Sequence, residues 1–396
     1  EAANNVLMLG TRTGTVPPAS VLDHVDLFQN GMESFLGCGF TADSFADEAR
    51  LVISNGASFR PNKLAVAAGS TKPGFKVNVL VDGGDLAARN TMMFNNMSSL
   101  SLTNNFLVRN GGFLGAGWLD SSGLDGNREI RSYGPARVTL ESGSLMAVKR
   151  DGTPLDYLTA YPDNSRFIFN VKDSKIALAG IRTGWSTIAA ENPFTFDNGE
   201  WDFGSADLVN ISFAAVNVGL YATGGGLILA PQAGKVWRLA TPIRGDGGFV
   251  KRGAGTLRLD TAELLGEKTE ETSVIRCTGV NRVEEGVLEL VAGAAKGVVL
   301  AGSGTVTGTA ESVLLKPTFG DEPETLLFDG ATFVGRVKVD LSALESAVVG
   351  TSVAVARYAG AAPAASTFKA IGLPKCQICT HCFDGSSAHT LEEENK

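Results

Sequence analysis

Six times between residues 52 and 201 an alternating apolar run meets a turn, and the turns recur at a nearly constant interval. The runs are 52–59, 79–86, 107–114, 138–145, 167–176 and 194–201. Their turns centre on positions 56, 83, 111, 143, 173 and 199, which lie 27, 28, 32, 30 and 26 residues apart. Alternation with a period of two is what a strand buried on one face requires. A fixed interval of strand and turn is what a stacked coil requires, because each coil buries its apolar side only against its neighbours. Asn-Gly and Asp-Gly at the turns also suit tight hairpins, since both residues accept positive φ. Antiparallel hairpins or a β-sandwich explain each motif singly, but only a solenoid explains the interval. The expected fold is all-β: a parallel β-helix, or solenoid, with terminal caps.

A shorter version of the same pattern occupies GDGGFVKRGAGTLRL, residues 245–259. Two short β-runs, 248–251 and 256–259, flank a Gly253-Ala254-Gly255 corner, with Phe249, Leu257 and Leu259 as candidate core residues. Strand, glycine corner and strand recur at 283–290 and 300–308. Over roughly residues 243–309 this series resembles the autotransporter-associated β-strand repeat. That resemblance implies a right-handed parallel β-helix of the kind found in the passenger regions of bacterial surface and secreted proteins. It implies an extracellular or cell-surface location and a structural or adhesive role, and it brings no catalytic residues with it.

Composition narrows the function classes. The 396 residues include 48 glycines and only 3 histidines, so turn signals are dense and histidine is scarce. A formal net charge of −8 argues against nucleic acid as a partner, because neutralising phosphates needs clustered Lys and Arg. No run of 18 apolar residues occurs, so no membrane span is expected. Along the chain, residues 1–48 read as an N-terminal cap, with helical spacing at 20–28 and 44–48. The repeats fill 49–310, and further β coils or a cap fill 311–370, with strands at 326–333 and 337–341. An Ala/Gly/Pro-rich linker covers 359–365, and a flexible cysteine-containing tail covers 371–396.

Candidate chemistry falls in three places. Segments 115–136, 147–165 and 180–193 depart from the repeat in the same phase of successive coils, which would set them side by side on one flank. They carry Trp118, Asp120, Asp125, Arg131, Tyr133, Tyr157, Tyr161 and Trp185 as the ligand-binding candidates. Aromatic faces suit the C–H faces of sugars, and charged groups suit hydroxyls or uronates. The ordinary reading is of long side chains lying over the coil surface. A polysaccharide lyase or glycoside hydrolase on the same fold is the enzymatic alternative, with Asp120, Asp125, Glu129, Asp156 and Asp163 as possible carboxylates. Among 42 acidic residues no spacing singles out a pair, and histidine is absent from 25 to 380. The chain is therefore expected not to be an enzyme.

The stretch 120–127 offers oxygen ligands of the kind calcium uses, with a polar turn as the plainer reading. The tail carries Cys376, Cys379, His381 and Cys382, a ligand set that zinc accepts and that a disulfide or a free tail explains as well. Cys38 and Cys277 read as small core residues. The expected partners are polysaccharide or other surface proteins, with self-assembly through open ends as a third possibility.

Overall fold

The computed structural model describes residues 7–9, 20–23, 26–29, 34–37, 47–67, 70–88, 91–94, 103–116, 129–132, 135–147, 157–160, 167–183, 192–213, 218–263, 272–319, 323–344, 354–360, 363–372, 379–383 and 387–391. The chain divides into two compact units, Glu1–Gly204 with Phe213–Leu220, and Ser205–Ser212 with Tyr221–Lys396. Each is a stack of parallel strands, with one antiparallel pair, Cys379–Phe383 and Ser387–Leu391, in the second, so the chain is a parallel β-solenoid.

In the first unit a coil has three strands. One coil is Lys76–Asp82, Asp85–Ala88 and Thr91–Met93; the next is Thr103–Arg109, Phe113–Ala116 and Glu129–Ser132. Strands in the same position of successive coils pair in parallel and in register. The alternation seen in the sequence becomes ladders. In the first position Leu51, Val79, Phe106, Val138, Phe169 and Phe194 stack inward, and all are buried. In the second position the inward series is Phe59, Leu86, Leu114, Met146, Ile176 and Trp201. Each such side chain contributes about 1.5–3 kcal/mol of burial.

The regular interval is realised as stacked turns rather than hairpins. The Gly56 amide donates to the Gly83 carbonyl at 2.9 Å, and the Gly83 amide donates to Arg109 at 3.0 Å. Gly111 bonds Ser142 at 3.0 Å and Gly143 bonds Asp173 at 2.7 Å in the same way. Asn110 and Gly111 hold φ of 55° and 74°, the left-handed conformation that Asn-Gly tolerates.

At the C-terminal end of this unit the ladders turn aromatic. Trp201 stacks on Phe203 with ring centroids 4.8 Å apart and on Phe213 at 5.2 Å. Its indole N–H donates to the Leu178 carbonyl at 3.0 Å, satisfying a buried polar group without disturbing the stack.

The second unit uses shorter coils. Phe249–Lys251 and Thr256–Leu259 flank the glycine corner, followed by Asn281–Val283 with Val287–Leu290, then Val299–Gly302 with Thr305–Glu311. Phe249, Leu257 and Leu259 are buried as expected. Val209, Trp237, Leu257, Leu288, Val306 and Phe328 form one inward ladder. The corners bring backbones together: a Cβ on Gly248 would lie 2.0 Å from the Val280 carbonyl oxygen, and one on Gly255 would lie 2.1 Å from that of Gln232.

Two buried polar side chains fasten these coils. Asn281 accepts from the Phe249 amide at 3.1 Å and donates to the Val299 carbonyl at 3.1 Å, so it ties the coils on either side to its own. Lys251 is fully buried, and its ammonium donates to the carbonyls of Arg252, Gly253 and Glu285.

Several local expectations change. The described residues of 20–28 are strands and not helix: Ser20–Asp23 pairs with Leu51–Ser54 and Asp26–Gln29 with Ser58–Pro61, both in parallel. Glu48 opens a strand rather than closing a helical turn. Of the stretch 359–365, Ala359 ends the strand Arg357–Ala359, and residues 361 and 362 lie outside the described residues. Cys277 is half-buried, shares the Asn281 side-chain oxygen at 3.3 Å, and has its thiol pushed up to about 11 by burial. Cys38 and residues 392–396 lie outside the described residues.

Candidate functional site

The three segments read as excursions from the repeat each contain a strand of the third position: Glu129–Ser132, Tyr157–Ala160 and Gly180–Thr183. Ile130, Leu158 and Ile181 occupy one ladder, and Arg131, Thr159 and Arg182 occupy the adjoining one. The segments are thus in phase, and what joins them is a strand, where the sequence suggested loops. Arg131 is half-exposed, one rung from Met93. Tyr157 opens its strand opposite Gly180. Trp118, Asp120, Asp125, Tyr133, Tyr161 and Trp185 lie outside the described residues, and so does the 120–127 stretch considered for calcium.

Of the cysteine-tail candidates, Cys376 lies outside the described residues. Cys379, His381 and Cys382 fall on the strand Cys379–Phe383, which pairs antiparallel with Ser387–Leu391 and sets His381 opposite His389 in register. No group of three or more His, Cys, Asp or Glu that could hold a metal ion occurs among the described residues. No helix among them is long and apolar enough to cross a membrane.

A second feature, unmarked in the sequence reading, lies on the outer side of the first-position strands of the same unit. It is an open trough of about 540 Å³ across four successive coils. Its floor is the outward ladder Val52, Leu80, Leu107 and Thr139. One rail is the ladder Arg50, Asn78, Asn105 and Arg137. Within it the Asn105 amide donates to the Asn78 side-chain oxygen at 2.9 Å, and the Asn78 amide donates to Glu48 at 2.9 Å. On the other side of the floor, Arg109 bonds Asp82 through Nε at 3.0 Å and Nη2 at 2.6 Å. The Arg109 guanidinium, then the Asn110 amide, hold the Asp82 carboxyl below the ordinary carboxylate range. The available signal was the recurrence of Asn at outward positions one coil apart.

The fold and these ladders define a parallel β-solenoid whose outward side chains line up from coil to coil. No family model, no curated protein and no solved structure matches the chain.

Proposed function

We propose that this protein is an extracellular structural or adhesive β-solenoid of a bacterial surface, contacting glycans through the flank that carries Arg131 and Tyr157. The observation that supports the reading is the register of that flank. Three successive coils contribute parallel strands to it, with Arg131, Thr159 and Arg182 at equivalent positions. A surface repeated at the strand spacing of ~4.8 Å suits a polymer, whose own groups also repeat. The resemblance of residues 243–309 to the autotransporter-associated repeat supports the surface location, as an expectation carried by sequence pattern.

The test is incubation of the purified chain with a panel of acidic and neutral polysaccharides, scored for retention and for new reducing or unsaturated ends. Retention without products, weakened by Trp118→Ala or Tyr157→Ala, is the expected result. Product formation abolished by changing Asp120, Asp125 or Arg131 would replace the adhesive reading with a lyase or hydrolase. Absence of both signals, with end-to-end assembly by electron microscopy, would favour a fibre subunit.

A further inference from the structure

The trough over the first-position strands has the dimensions and the chemistry of a binding site in its own right. A volume of about 540 Å³ sits within the range of ligand sites, roughly 300–1,000 Å³. It extends over four successive coils, so it suits a chain rather than a compact molecule. Successive rungs lie about 4.8 Å apart, close to the advance of one pyranose ring in an extended polysaccharide.

Charge decides the class of chain. Of the charged side chains that line the trough, Arg50 pairs with Glu48, while Arg137 and Glu141 stand on opposite sides of the floor in the fourth coil. With the Arg109–Asp82 pair beside the floor, the trough and its margins hold three guanidinium groups and three carboxylates. A polyanion gains nothing net from such a surface, and a polycation gains nothing either. A chain of hydroxyls gains from both signs, since each hydroxyl donates and accepts. The amides between the charges have the same double character. The Asn105–Asn78–Glu48 hydrogen-bond chain runs in one direction and leaves the Asn105 side-chain oxygen as an acceptor at its end. Between the rails, Val52, Leu80 and Leu107 present the apolar strip on which the C–H faces of sugar rings lose water.

We propose that this trough binds a neutral, linear, hydroxyl-rich polysaccharide laid along the coil stack, about one sugar per rung. The site lies on a different sheet from the flank that carries Arg131 and does not depend on that flank binding anything.

The experiment is calorimetric titration of the full chain with neutral, linear oligosaccharides of two to six units. Affinity rises with length up to about four units, the number of rungs in the trough, and then levels. Leu80→Asp places a charge on the apolar strip from an outward position and weakens binding by about tenfold or more. Leu80→Val keeps the strip and keeps the binding. No binding at any length would overturn the proposal, and so would preference for a polyanionic oligomer or an extended peptide. Binding lost in Trp118→Ala but kept in Leu80→Asp would place the glycan on the flank and leave the trough without a ligand.

Discussion

The Lys251 ammonium donates a 2.8 Å hydrogen bond to the carbonyl of Glu285, in the coil that follows its own. Two further carbonyls, Arg252 and Gly253, complete its environment. Lys251→Met keeps the side chain's length and leaves three acceptors without that donor. The expected loss is about 1–3 kcal/mol of stability, read by chemical denaturation at pH 7. A more stable variant would mean that burying the charge costs more than its hydrogen bonds return.

The same residue predicts a pH dependence. Burial pushes the Lys251 ammonium down to about 8, from an ordinary value of 10.5. Between those values the unfolded chain binds the proton and the folded chain releases it, so folding is favoured as pH rises. That contribution is fully present above about 10.5 and is lost as pH falls through about 8. The destabilisation caused by Lys251→Met should therefore be larger at pH 9.5 than at pH 7. Equal costs at both values would contradict the shift.

Asn104 is buried at an inward position between Val77 and Ala136, and neither its side-chain nitrogen nor its oxygen has a hydrogen-bond partner. An unsatisfied buried amide costs about 1–3 kcal/mol. Asn104→Val should raise stability by about 1 kcal/mol, measured as a higher denaturation midpoint with an unchanged slope. A lower midpoint would show that the cavity prefers the amide's shape.

Two glycines should respond differently to the same substitution. Gly248→Ala drives a methyl group to 2.0 Å from the Val280 carbonyl oxygen, whereas Gly111→Ala, at φ +74°, meets nothing within 4 Å. The first should cost more than about 3 kcal/mol and the second about 1, the ordinary cost of a left-handed alanine. Thermal melts of the two variants decide it, and similar losses would count against the close coil contact.

Trp201 offers a fifth test. Trp201→Phe keeps an aromatic ring beside Phe203 and Phe213 but removes the donor to the Leu178 carbonyl. The expected cost is about 2–3 kcal/mol, from the unpaired carbonyl together with the smaller ring. A loss under about 0.5 kcal/mol would show that the carbonyl finds another donor.

The solenoid was legible because its signals are local and repeated. Alternation at 52–59 or 107–114 specifies a strand by itself, and Asn110-Gly111 specifies a left-handed turn by itself. Their interval supplied the long-range information. The reading failed at 20–28, where Val21, Leu22, Val25 and Phe28 fit a helical face as well as a strand over so short a window. Pairing with the 51–61 strands, a tertiary effect, decides the outcome there. Lys251 was not singled out, because nothing in FVKRG announces three carbonyls closing around an ammonium. The trough was equally hidden. Arg50, Asn78, Asn105 and Arg137 are ordinary outward polar residues until the register aligns them.

The turn-to-turn hydrogen bonds from Gly56 to Gly83, and from Gly83 to Arg109, pass register along the stack through backbone alone. A duplicated stretch one coil long would inherit its alignment from the coil beneath it, whatever its outward side chains. The reach of such a surface is then a quantity that copying can adjust in steps of about 4.8 Å, while the chemistry displayed on each step varies separately.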